Sequence, residues 1–239
     1  MTRDRIGFDR TIRLHWLDQA ALLAGEVRDG VNLHAALTER LAGEIAGRDS
    51  RERTANVLTR LWWRVPRDHV SLRDEALAHI ASLEPEERLA YHWGMALLAY
   101  PFFRDVAGTI GRLLRLQGTF RLAQLSQRIT AGWGNRTTLE YALARVIRSL
   151  QDWGVLQSGE QRGSYVAAPT TVLSTTDSTL WLLEAVLRAR GTELPASDLL
   201  RAPESFPFDT AVALSDLARS PRFLLHQGGQ DFVTVQLAR

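Results

Sequence analysis

Cysteine and lysine are both absent from this chain of 239 residues. Without cysteine there is no disulfide, no thiol nucleophile and no cysteine-based zinc or iron–sulfur site. Without lysine there is no Schiff-base amine, no phosphate-loop lysine and no Asp/Glu-x-Lys nuclease signature. All 29 basic side chains are therefore arginine, which suits a GC-rich genome and still gives bidentate contacts to phosphate and guanine. No apolar run approaches about 18 residues, and none follows Met1. Neither a signal segment nor a membrane span is expected, so the reading is a cytoplasmic protein that does not engage a membrane.

Catalytic patterns are missing as well. The six histidines, at 15, 34, 69, 79, 92 and 226, lack metal-ligand spacing. His92, beside Trp93 and Met95, reads as a core imidazole. Glu84, Glu86 and Glu87 suit the first turn of a helix, and no Gly-x-Ser-x-Gly elbow occurs. No catalytic residue, metal or cofactor is expected, and the protein is read as not an enzyme.

What is present is an ordinary globular composition, 45% apolar and 23% charged, with an uneven charge distribution. Residues 1–100 carry 14 arginines and 15 acids, a net of −1. Residues 101–168 carry 9 arginines against Asp105, Glu140, Asp152 and Glu160, a net of +5, and residues 169–239 carry 6 against 8 acids, a net of −2. A local basic zone inside a nearly neutral chain is the footprint of a surface that displaces counterions from nucleic acid.

Five or six helices, the last over 102–116, are read ahead of the helix-turn-helix, the others falling in the N-terminal hundred residues. Their apolar stripes include Ile12, Trp16, Ala20 and Leu23, then Leu33, Leu37 and Leu41, then Val57, Leu58 and Leu61. Asn32, Ser50 and Ser71 are the expected caps, and Pro85 with Glu86 and Glu87 opens the last helix of that hundred. Arg51, Arg53, Arg60, Arg64 and Arg67 form a basic series around one helix that could extend a DNA track. A helix over 102–116 follows, in which Gly108 and Gly111 suggest close approach by another helix. Most tryptophans fall on apolar helix faces, while Trp63 and Trp133 read as less clearly buried. Trp133 either braces the next helix or touches a sugar-phosphate edge.

The most informative stretch is 119–169. Leu122, Leu125 and Ile129 mark a short helix, and a glycine-rich connection through Gly132 and Gly134 leads to Thr137, the expected N-cap. In the helix that follows, Leu139, Leu143, Val146, Leu150 and Trp153 form the buried stripe. Thr137, Thr138, Tyr141, Arg145 and Arg148 lie opposite, able to donate to phosphates or base edges. Gly154 ends the helix, and a hairpin from Val155 to Ala168 carries Gln161, Arg162 and Ser164 at its tip and return strand.

On Leu122-Ala123-Gln124-Leu125, the helix over 138–153 and the Gly154-Val155-Leu156 hairpin, this segment resembles the winged helix-turn-helix superfamily. That resemblance implies a recognition helix and a wing, a fold that also serves as a dimerisation or protein-docking module. The arginine-rich N-terminal helices, the Tyr-Pro-Phe-Phe-Arg-Asp start at 100–105 and the threonine-rich helix are also similar to the BrxA proteins of BREX phage-defence systems. This second resemblance implies a DNA-binding accessory of a bacterial defence cluster.

After a Ser/Thr-rich connector over 170–178, a helix from 179 to 190, short helices over 195–200 and 209–218, and a hairpin around Gln227-Gly228-Gly229-Gln230 repeat the winged-helix order in a net acidic segment. The expected fold is mainly α: an N-terminal helical domain (1–100), a winged helix-turn-helix (101–169) and a C-terminal winged-helix-like module (170–239) with small β-hairpins. The expected function is non-catalytic binding of double-stranded DNA. Arg145, Arg148 and Tyr141 enter the major groove, Arg136, Thr137 and Thr138 stand at the helix start, and Gln161, Arg162 and Ser164 lie on the wing. Phage defence and transcriptional regulation are both consistent roles, with protein partners docking on the C-terminal module. The alternative is an interaction subunit whose winged helices mediate assembly.

Overall fold

A computed structural model describes residues 6–238, apart from 28, 170, 174 and 229–231. The first five residues, part of the 170–178 connector, and Gly229 and Gln230 of the last turn lie outside the described residues. Within them the chain is mainly helical, with two three-stranded sheets and a two-stranded pair.

Five helices come first: α1 (Leu14–Glu26), α2 (Gly30–Arg40), α3 (Arg48–Trp62), α4 (Val70–Ile80) and α5 (Pro85–Ala99). Their starts differ from the sequence reading. Asp29 caps α2, accepting from the Val31 and Asn32 N–H groups at 3.0 and 2.8 Å, so Asn32 lies inside the helix. α3 opens at Arg48 ahead of Ser50, and α4 opens at Val70 ahead of Ser71. In both, main-chain geometry starts the helix before the hydroxyl that could have capped it.

The middle segment runs α6 (Pro101–Gln117), β1 (Thr119–Arg121), α7 (Leu122–Trp133), α8 (Thr137–Asp152), β2 (Leu156–Ser158) and β3 (Ser164–Ala167). β3 pairs antiparallel with both β1 and β2, giving the order β1-β3-β2. The last segment repeats this layout: α9 (Thr176–Arg190), β5 (Glu193–Pro195), α10 (Ala196–Leu200), α11 (Leu214–Arg219), β7 (Phe223–Gln227) and β8 (Val233–Leu237), with sheet order β5-β8-β7. Between the two stands β4 (Thr171–Val172), parallel to β6 (Phe208–Asp209). The helix expected over 209–218 is therefore shorter, because Asp209 belongs to a strand.

One hydrophobic core runs through all three segments. Its centre is the packing of α5 on α9, in which residues 89–97 and 178–187 are buried throughout. A helix covered on all sides needs apolar or paired residues all round. Gly94 permits the approach, since a Cβ there would lie 2.5 Å from the Trp181 ring. Gly108 and Gly111 do the same on α6, where the close neighbour is the 3-10 turn Pro203–Ser205; a Cβ on Gly111 would meet the Pro203 carbonyl oxygen at 2.1 Å.

Candidate nucleic-acid interface

α8 divides as its pattern requires. Leu139, Leu143, Val146 and Leu150 are buried, while Thr137, Thr138, Tyr141, Arg145 and Arg148 are exposed, Tyr141 by 64%. Thr137 is the first helical residue, preceded by Arg136, so the expected N-cap is displaced by one position. Trp153, just after the helix, packs among Phe8, Trp93 and Phe103 at ring separations of 6.2, 6.1 and 5.7 Å. Trp133 is buried, its indole N–H donating to Asp105 Oδ2 at 3.0 Å and its ring edge-on to Phe102. It braces the turn before α8 and presents no face to a ligand.

The β2–β3 hairpin exposes Gln161 and Arg162. Gln161 Oε1 accepts from the Arg121 guanidinium, so a residue of β1 that sequence reasoning passed over fixes the side of the turn. Ser164 does not join the displayed set. It is buried, and its hydroxyl donates to the Gln161 carbonyl at 2.6 Å, closing the turn from within.

A groove of about 740 Å3 lies between the first half of α8 and α3. Arg136, Thr138, Tyr141 and Arg145 line one wall. Arg53, Asn56, Val57 and Arg60 line the other, at the three- and four-residue spacing that keeps one helix face together, and Arg64 extends it just past the end of α3. Ile6, Gly7, Asp9 and Tyr100 form the floor. Among the described residues, five arginines thus face a single carboxylate, Asp9. Arg51, expected in the same series, turns away and donates to the carbonyls of Ile45 and Ala46 at 3.3 and 3.4 Å.

Several of these side chains are held in place. The Arg60 guanidinium lies 4.9 Å from the centre of the Tyr100 ring, and the Tyr100 hydroxyl donates to the Val57 carbonyl at 2.9 Å. Arg145 donates to the main-chain carbonyl of Asp9 at 2.5 Å. Beside them Arg10 donates to Ser50 Oγ at 2.9 Å. Burial holds the Arg10 guanidinium below its usual basicity; Asp9 opposes this, and the positive charges of Arg145 and Arg53 add to it. Among the described residues, Arg53, Arg60, Arg64, Arg145, Arg148 and Arg162 form no ion pair. Arg13, Arg48, Arg73, Arg88, Arg104, Arg188, Arg219 and Arg222 all have carboxylate partners.

The sequence placed both arginine series but could not show that they share one groove. That depends on α1, α3 and α8 meeting around the segment 6–13, whose Ile12 N–H donates to Ser149 Oγ at 2.8 Å and whose Ile12 carbonyl accepts from the Trp153 indole at 2.9 Å. No described helix is long and apolar enough to cross a membrane, and no group of three or more described His, Asp or Glu residues could hold a metal ion. No protein-family model, curated protein or solved structure matches the chain.

Proposed function

We propose that the chain binds double-stranded DNA through α8 and the β2–β3 hairpin, acting as a winged helix with no catalytic step of its own. The observation that carries this reading is the exposed stripe of Thr138, Tyr141, Arg145 and Arg148, whose arginines lack carboxylate partners among the described residues, on the helix that immediately precedes the hairpin bearing Arg162. In this reading Tyr141, Arg145 and Arg148 meet base edges in the major groove. Arg136 and Thr137 bond phosphate at the helix start, and Gln161 with Arg162 reaches the neighbouring backbone or minor groove. The layout of helix, strand, helix, helix and hairpin supports it, as does the net charge of +5 over residues 101–168. The role is that of a cytoplasmic accessory in bacterial phage defence or of a transcriptional regulator.

Fluorescence-anisotropy titration of unrelated duplexes from about 50 to 200 mM salt tests it. Salt-sensitive binding that the folded Arg145→Ala/Arg148→Ala variant loses supports the assignment; no binding at the lowest salt overturns it. A second reading, an assembly subunit, draws on Leu224 and Phe232 of the C-terminal segment, exposed by 47% and 51%. Failure to bind any duplex moves the conclusion there.

A further inference from the structure

We infer that α3 is a second jaw of this interface, and that the groove between α3 and α8 takes the sugar-phosphate backbone of one strand of the duplex. The inference rests on the reading of α8 as the helix that enters the major groove. A major groove about 12 Å wide admits a helix with a phosphate backbone on either side of it. The first turns of α8 are walled on one side by α3, so a duplex seated on Tyr141 and Arg145 brings one of those backbones between the two helices.

The wall is chemically suited to that strand. Arg53 and Arg60 on one face of α3, with Arg64 just beyond its last turn, extend over roughly 16 Å, against about 3.4 Å of duplex axis per phosphate in one strand. The row therefore meets several successive phosphates. Arg60 is already oriented by the Tyr100 ring, so its binding geometry exists before the ligand arrives. Arg53 and Arg64 are exposed and have no partner among the described residues. Arg10 lies next to the same cavity, bonded through Nη1 to Ser50, with Arg53 and Arg145 near enough to act on its charge. Cations crowd this groove, with Asp9 the one carboxylate among its described lining residues, and a polyanionic strand removes that repulsion. Phosphates carry no base identity, so this jaw adds affinity and register without adding sequence preference.

The decisive comparison is the salt dependence of duplex binding by the full chain, by Arg53→Ala/Arg64→Ala, and by Arg190→Ala as a control on α9. The substituted side chains are exposed, and thermal melting confirms that each variant is folded. Loss of two phosphate contacts lowers the slope of log K against log salt by about two. The weakening is equal across unrelated duplexes, and Arg190→Ala leaves the slope unchanged. A wild-type slope in Arg53→Ala/Arg64→Ala, in a chain whose Arg145→Ala/Arg148→Ala variant has lost binding, overturns the second jaw alone. No duplex binding by the wild-type chain overturns the α8 reading and the jaw together.

Discussion

Trp153 and Ile12, 141 positions apart, are joined by a hydrogen bond of 2.9 Å from the indole N–H to the main-chain carbonyl. The Ile12 N–H is bound in turn to Ser149 Oγ at 2.8 Å, so α8 is pinned to the segment that carries the groove floor. Ser149 is wholly buried. Ser149→Ala leaves the buried Ile12 N–H without an acceptor and costs about 1–3 kcal/mol, measured as a lower urea midpoint with an unchanged slope.

Arg222 ties two helices together through three carboxylates. Its guanidinium pairs with Glu75 of α4, and with Asp177 and Glu184 of α9, the Glu184 contact at 2.9 Å. Burial works against its charge, but hydrogen bonds donated to Glu75 and Glu184 outweigh this and raise its basicity, so it stays protonated at any working pH. Arg222→Ala leaves half-buried Glu75 without its cation and buried Glu184 with Arg188 as its remaining partner, and is expected to cost about 1–3 kcal/mol. Denaturant melts of Arg222→Ala and of Glu75→Gln/Arg222→Met separate loss of the pair from the cost of the unpaired Glu75 carboxylate, since the double variant recovers part of the loss and leaves Glu184 with Arg188.

Acid sensitivity centres on His92, whose Nε2 lies 2.9 Å from Asp18 Oδ1. Complete burial pulls its pKa below the usual 6.5, with the Asp18 hydrogen bond pulling back less strongly, and half-buried His69 moves in the same direction. The unfolded chain then binds more protons than the native one below about pH 6.5, so stability falls as pH drops through that point. Urea midpoints between about pH 7.5 and 5.5 should decline for the wild type and decline less for His92→Gln. An equal decline in both would reject His92 as the source.

Gly111 faces opposing effects. Alanine there gains about 1 kcal/mol of helix propensity, yet its Cβ would sit 2.1 Å from the Pro203 carbonyl oxygen, a main-chain atom that cannot swing aside. Overpacking of this kind costs about 1–3 kcal/mol, so Gly111→Ala is expected to be less stable than the wild type in a thermal melt. A raised melting temperature would show that the 3-10 turn yields.

Asp9 is the one carboxylate among the described residues of the groove lining. Asp9→Asn keeps the main-chain carbonyl that Arg145 uses and removes the opposing charge. Duplex affinity should rise several-fold at low salt, with the gain fading as salt is added; an unchanged or weaker affinity would place the phosphates elsewhere.

The sequence made the helices and their faces legible where the period was long enough to read. Leu139, Leu143, Val146, Leu150 and Trp153 are all buried as their spacing requires. Helix starts were less legible, because Asn32, Ser50, Ser71 and Thr137 are residues that can cap but are already inside their helices. Strands of two or three residues, such as Thr119–Arg121, Glu193–Pro195 and Phe208–Asp209, contain too little alternation to show a period and exist through pairing with distant partners. Ser164 looked like a displayed hydroxyl until the Gln161 carbonyl supplied an inward acceptor. The groove itself was invisible, since Arg53 and Arg145 become neighbours only through tertiary packing.

The two repeats of one layout bury their leading helices to different depths. In the first, α6 keeps Arg112 and Arg115 at the surface. The second turns its leading helix, α9, inward until ten consecutive residues from Ser178 to Leu187 are sealed. Parting the C-terminal segment from the rest would uncover α5 and α9 at once. The chain should therefore lose its structure in one cooperative transition, and a protease that cuts between 169 and 176 should release no fragment that remains folded.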